Sequence, residues 1–126
     1  MTVVGAHRIN KGKMDVSICE AIAQTGALRP GDGTFYGAGV YAYYADHVPR
    51  DFLGDPFAVF EPIPHRGRIN MLGIFSRGVS APQGTSTPDR RFFLLPGEVG
   101  KPIKVAILGF VNCPGLPKYP GILYYV

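Results

Sequence analysis

The sequence predicts an α+β fold: a compact, mostly antiparallel β-sheet core with one or two short helices near the N-terminus. Three observations lead there. Gly (17) and Pro (12) are together almost twice as frequent as usual in a chain of 126 residues, which excludes a coiled coil or helical bundle. Hydrophobic residues make up 46% and charged residues only 17%, which excludes a disordered chain. The apolar residues fall in short, β-branched and aromatic runs between turn signals, as strands do. Gly does not recur at every third position, so collagen is excluded as well. The length suits one domain spanning residues 1–126, with enough chain to bury a sizeable core.

Each element has its own justification. Thr2–Arg8 reads as a first strand, broken by Lys11-Gly12-Lys13. Ser17-Ile18-Cys19-Glu20 matches a capping box that opens a helix, with Asp15 as a competing N-cap. Ile18, Ala21, Ile22 and Thr25 share one helical face, and Gly26 ends the helix. Arg29-Pro30-Gly31-Asp32-Gly33 is a loop by composition. Val40–Tyr44 follows Gly37-Ala38-Gly39 and reads as a strand, though a helix could start within it, and Asp46–Asp55 is irregular or one helical turn. Pro56–Glu61 reads as a buried strand, ended by Pro62 and Pro64. Arg68–Phe75 is a further strand, and Arg77–Pro88 a loop expected to be mobile. Arg91–Leu95, Ile103–Val111 and Ile122–Val126 complete the strands. No internal repeat or linker interrupts them.

The net charge of +4 permits an anionic partner without requiring one. The basic residues are dispersed, and no aromatic-interleaved basic stripe marks a nucleic-acid surface. His7, His47, His65, Cys19 and Cys113 lack metal-ligand spacing, so no metal is expected. The two cysteines permit one long-range disulfide but form no disulfide framework. Met1–Gly5 has no charged segment leading into an apolar core, and no apolar run approaches a membrane span. The expectation is a cytoplasmic protein with free thiols and no membrane partner.

One constellation carries a functional signal. Ala6-His7-Arg8 lies on the first strand, and the helix from Ser17 runs to Gly26-Ala27-Leu28. Gly37-Ala38-Gly39-Val40-Tyr41-Ala42 follows, with Ala45-Asp46 a little further on. This order resembles the ADP-ribosyltransferase superfamily, in its poly-ADP-ribose polymerase and diphtheria-toxin-like branch. The resemblance runs to Val59-Phe60 as the next core strand, and beyond that only the strand rhythm matches. It implies a split-sheet fold, NAD as co-substrate, and a macromolecular target, protein or nucleic acid. It implies that His7 holds the ribose of NAD and that Tyr41, with Tyr44 or Tyr43, stacks on the nicotinamide ring. Gly39 would let the backbone approach the ring, and Arg8 or Arg29 would meet the pyrophosphate. The family's third motif residue is a Glu that holds ribose and attacking group while the sugar becomes cation-like.

Two departures keep alternatives open. Arg8 stands where the family has Gly after the His. The third motif carboxylate has no clear match: the strand start offers Asp89, Arg90 or Arg91, Glu98 follows in a Pro-Gly-Glu turn, and Glu61 sits near another strand end. Glu98 is the candidate catalytic carboxylate, completing a set with His7 and Tyr41. As a merely exposed turn residue it would leave a module that binds NAD or ADP-ribose without transfer. The remaining alternative is a β-rich structural or interaction protein whose tyrosines pack. The stretch from Gly78 to Pro88 corresponds to the family's target-recognition loop.

Overall fold

The computed structural model describes residues 3–31, 37–52, 54–65, 68–69, 73–75 and 92–125. Its strands are β1 (Gly5–Arg8), β2 (Ala27–Leu28), β3 (Gly39–Tyr44), β4 (Val48–Pro49), β5 (Phe57–Pro62), β6 (Pro64–His65), β7 (Arg68–Ile69), β8 (Gly73–Phe75), β9 (Phe92–Pro96), β10 (Ile103–Val111) and β11 (Tyr124–Tyr125). The helix α1 spans Val16–Thr25, and single 3-10 turns occupy Ile9–Gly12 and Arg50–Phe52. The main sheet has seven strands in the order β2-β10-β5-β1-β3-β9-β8, and every pairing in it is antiparallel. The α+β class expected from the sequence is therefore observed, with one α-helix among the described residues.

Both faces of the sheet are covered, which explains the unbroken burial of Phe57-Ala58-Val59-Phe60 on β5. On one face Ala42, Ala58, Phe60, Phe93 and Leu95 pack with Ile9, Cys19 and Ile22 from the helical segment. On the other face Ala6, Phe57, Val59, Val111 and Val48 pack with Phe52, Tyr119 and Ile122. Each large side chain buried this way contributes about 1.5–3 kcal/mol relative to exposure. Gly5 lies under the first cluster; an added Cβ would stand 2.6 Å from Cζ of Phe93 and 2.9 Å from Cζ of Phe60.

The helix starts differently from the expected capping box. Asp15 is the N-cap, its carboxylate accepting from the backbone N–H of Ser17 and Ile18, and the Ser17 hydroxyl donates to the same oxygen at 2.6 Å. An ionised carboxylate is the better acceptor for the exposed first-turn amides, and Ser17 becomes its supporting donor. These bonds hold the Asp15 carboxyl below its ordinary pKa, the Ser17 hydroxyl first among them. The buried face is also rotated. Cys19 and Ile22 are buried and Ile18 is half-buried, whereas Ala21 and Thr25 are exposed. At the other end Gly26 is left-handed at φ 64°, as expected, and its N–H donates to Ile22 O. Lys104 Nζ adds a bond to Thr25 O, placing a cation at the helix C-terminus.

Other expectations shift. Of the expected strand Arg68–Phe75, Arg68–Ile69 pairs with β6 and Gly73–Phe75 pairs with β9 at the edge of the main sheet, while residues 70–72 lie outside the described residues. Among the described residues of Ile122–Val126, Tyr124 and Tyr125 form β11, paired parallel with β4. The first strand begins at Gly5 rather than Thr2, although Val4 O still accepts from Ala45 N. Ile103–Val111 forms as expected, with a register shift between Ile107 and Gly109. Arg77–Pro88, with Asp89, Arg90 and Arg91, lies outside the described residues.

Candidate functional site

The site begins with a break in strand pairing. β1 pairs with β3 through only Gly5↔Tyr44 and Ala6↔Tyr43. Past Ala6, β1 stays with β5, as His7↔Ala58 and Arg8↔Phe57. β3 stays with β9 from Tyr43 back to Gly39. The two strands therefore separate from His7 and Ala42 onward, and the sheet splits there. A split exposes backbone groups that an intact ladder would satisfy.

His7 bridges this split with its side chain. Its Nδ1 lies 2.8 Å from the carbonyl oxygen of Tyr41. A carbonyl only accepts, so Nδ1 carries the proton, and in the neutral ring Nε2 is an acceptor. Burial lowers the imidazole pKa from its ordinary 6.5, partly countered by the bond to the Tyr41 carbonyl. The ring thus stays neutral at neutral pH. Among the described residues no partner reaches Nε2.

Tyr41 is half-buried, and its hydroxyl donates to Gly37 O at 2.6 Å across the turn that leads into β3. Its ring lies 6.5 Å from that of Phe92 on β9. Strand alternation sends Tyr41 and Tyr44 to opposite faces, so the expected Tyr41–Tyr44 sandwich is not formed. Tyr44 packs instead against Phe93 at 5.2 Å, at the paired end of β1 and β3. Tyr43 shares the face of Tyr41 and meets Phe52 at 5.6 Å.

Gly39 has a structural reason to be glycine. Its φ is +155°, and an added Cβ would lie 2.1 Å from the carbonyl oxygen of Leu95 and 2.7 Å from Leu94 Cδ1. The close approach is to strand β9, not to open space for a flat ligand. Gly39 also exchanges two backbone hydrogen bonds with Gly31, at 2.9 and 3.3 Å. Arg29 is exposed two residues before that bridge, at the open end of the split, and no described residue pairs with it.

Arg8 is placed otherwise than the pyrophosphate role requires. Its Nε lies 2.8 Å from Asp55 Oδ2, and its guanidinium stacks over the Phe52 ring at 4.1 Å. The contact is off the N–H direction, which leaves Nε without a directed hydrogen bond. It is an ion pair backed by a cation–π contact. Arg8 points to the face of Phe57, away from His7, because neighbouring strand residues alternate. Asp55 and Phe52 were invisible in the sequence as its partners, since only the fold brings them to β1.

Glu98 sits in the turn after β9. Its Oε2 is 2.8 Å from Lys101 Nζ, and both side chains are about three-quarters exposed (74% and 76%). The turn lies at the Gly39 end of the sheet, where Gly97 N donates to Ala38 O, but the carboxylate faces solvent. Glu61 is half-buried on β5, opposite Ala106 of β10. A surface concavity of about 450 Å³ lies elsewhere, lined by Phe110, Asn112, Cys113, Pro114, Leu116 and Lys118. It holds none of the expected site residues. Among the described residues no three His, Cys, Asp or Glu side chains gather as metal ligands, and no helix is long and apolar enough to cross a membrane. No family model, curated protein or solved structure matches the chain.

Proposed function

We propose that the protein is an ADP-ribosyltransferase-like domain. It takes the nicotinamide–ribose end of NAD at the split between β1 and β3 and transfers ADP-ribose to a protein or nucleic-acid target. One observation carries the reading: His7 stands on a central strand at the point where the sheet splits, with Nδ1 committed to Tyr41 O and Nε2 without a described partner. A neutral imidazole fixed this way accepts a hydrogen bond from a sugar hydroxyl and does not repel a developing positive charge on the sugar. Tyr41 fixes the imidazole through its carbonyl and carries a half-buried ring on the other face of β3, and Arg29 supplies a guanidinium for the pyrophosphate at the open end. NAD brings the labile nicotinamide–ribose bond; the chain orients it and excludes water.

A second reading rests on Glu98. Its exposed ion pair with Lys101 favours a module that captures NAD or ADP-ribose without transferring it. Thermal-shift titration with NAD, ADP-ribose and nicotinamide, with Tyr41→Ala as control, tests the binding step common to both. No shift with any of the three rejects both readings. Labelled NAD incubated with the protein and a lysate then separates them, since label fixed to a macromolecule requires transfer.

A further inference from the structure

The two thiols of the chain meet although they are 94 residues apart in sequence. Cys19 Sγ lies 3.3 Å from Cys113 Sγ. Cys19 is on the buried face of α1 and Cys113 just follows β10; their exposures are 1% and 8%. Both are free thiols. The Cys113 sulfur also lies 3.5 Å from Val111 O and 3.9 Å from Phe57 O. A disulfide needs a sulfur separation of about 2.05 Å, so each sulfur need travel only about 0.6 Å. Cys113 also lines the concavity formed with Leu116 and Lys118, which gives a small reagent an approach from outside.

We infer that Cys19 and Cys113 are a cross-link site, an intramolecular disulfide that forms with a low-molecular-weight disulfide as oxidant. The Cys113 thiol loses its proton and attacks one sulfur of the oxidant, releasing the first small thiol. Cys19 then loses its proton and attacks Cys113 Sγ, breaking the mixed disulfide and releasing the second. Two electrons and two protons pass from the protein to the oxidant, which ends as two thiols. The bond joins α1 to the end of β10 and closes a loop containing β2 to β10, so it confines the unfolded chain strongly. Burial and the hydrogen bond with Cys19 push the Cys113 thiol up to about 12, so the reduced pair reacts slowly while the fold is closed. The cross-link therefore forms fastest during folding.

The test refolds the reduced full-length chain from urea in a buffer of reduced and oxidised glutathione. It then alkylates residual thiols and measures intact mass and a non-reducing peptide map. The expected product is a monomer lighter by two hydrogen atoms, carrying one Cys19–Cys113 peptide and no alkylated thiol. Its Tm should be higher than that of the reduced form by on the order of 10 °C, and dithiothreitol should reverse the rise. Cys19→Ser should retain glutathione on Cys113 and show no such rise. Stable glutathione adducts on the wild-type chain, disulfide-linked dimers, two alkylated cysteines or an unchanged Tm would each overturn the inference.

Discussion

His7 and Tyr41 are held together through a side chain and a backbone group, not through their two rings: Nδ1 of His7 donates to the Tyr41 carbonyl at 2.8 Å. The bond replaces the strand pairing that is lost where β1 and β3 separate. The structural bond uses one nitrogen of the ring and the proposed ribose contact the other, so substitution can part them. Asn carries an amide N–H in roughly the place of Nδ1 but nothing in the place of Nε2. His7→Asn should keep wild-type stability in urea unfolding to within about 1 kcal/mol while losing the NAD-induced thermal shift. His7→Ala leaves the carbonyl without its partner and should cost about 1–3 kcal/mol.

The same residue sets a pH dependence. Its folded-state pKa is lowered below 6.5 by burial. Between the folded and unfolded values the unfolded chain binds a proton that the folded chain does not. The contribution of His7 to stability is therefore complete above pH 6.5 and is lost as pH falls from there towards the folded value. Unfolding free energies measured from pH 7.5 to 5 should decline more steeply in wild type than in His7→Asn. Parallel curves would contradict this.

Arg8 and Asp55 should behave as a structural pair. The side chains are 32% and 23% exposed, so solvent weakens the Coulomb attraction, and the contact with Phe52 adds to it. Arg8→Ala should lower stability by about 1–2 kcal/mol and leave the NAD-induced thermal shift intact. Arg8→Lys should recover only part of the loss, because an ammonium cannot lie flat on the ring.

Gly39 and Gly37 separate packing from backbone strain. Both have positive φ, but an added methyl at Gly37 meets nothing within 4 Å, whereas at Gly39 it collides with Leu95. Gly37→Ala should cost about 1–3 kcal/mol from strain alone. Gly39→Ala adds overpacking between β3 and β9 and should cost more, about 3–5 kcal/mol. Chemical denaturation of the two variants checks the order.

At the start of α1, Asp15→Ala should lower Tm more than Ser17→Ala, because Asp15 holds both backbone amides and the Ser17 hydroxyl. Its depressed carboxyl pKa makes this contribution present above the ordinary 3.8 and lost as pH falls through the folded value. The Tm difference between wild type and Asp15→Ala should therefore shrink in acid.

Local chemistry was legible in the sequence and long-range pairing was not. Gly26 ends α1 where the left-handed requirement predicts, and β3, β5 and β10 appear within a residue or so of their apolar runs. The rotated helix face was missed because Cys19, a small apolar side chain when buried, was not counted among the core residues. Ala27–Leu28 was missed as a strand because two residues carry no alternation to read. At the site, the sequence marked His7 and Tyr41 but assigned the work of Tyr41 to its ring, whereas its carbonyl makes the contact with His7. The contacts of Arg8 and Tyr44 were not legible for one reason: which face a strand residue occupies depends on register, and register is set by partners far along the chain.

The position of β1 shapes how the chain reaches this state. It precedes β3 and β5 in the sequence, yet it lies between them, and β5 in turn needs β10. The Gly31–Gly39 bridge ties the segment after β2 to β3, so backbone pairing runs in a circuit through β3, β1, β5, β10 and β2. Apart from that local bridge, every link in the circuit joins strands far apart in sequence. Contact order is high, which places refolding among the slower small domains, in the millisecond-to-second range. During synthesis His7 emerges early and waits: the strand that braces its own support is complete only when Val111 has been added.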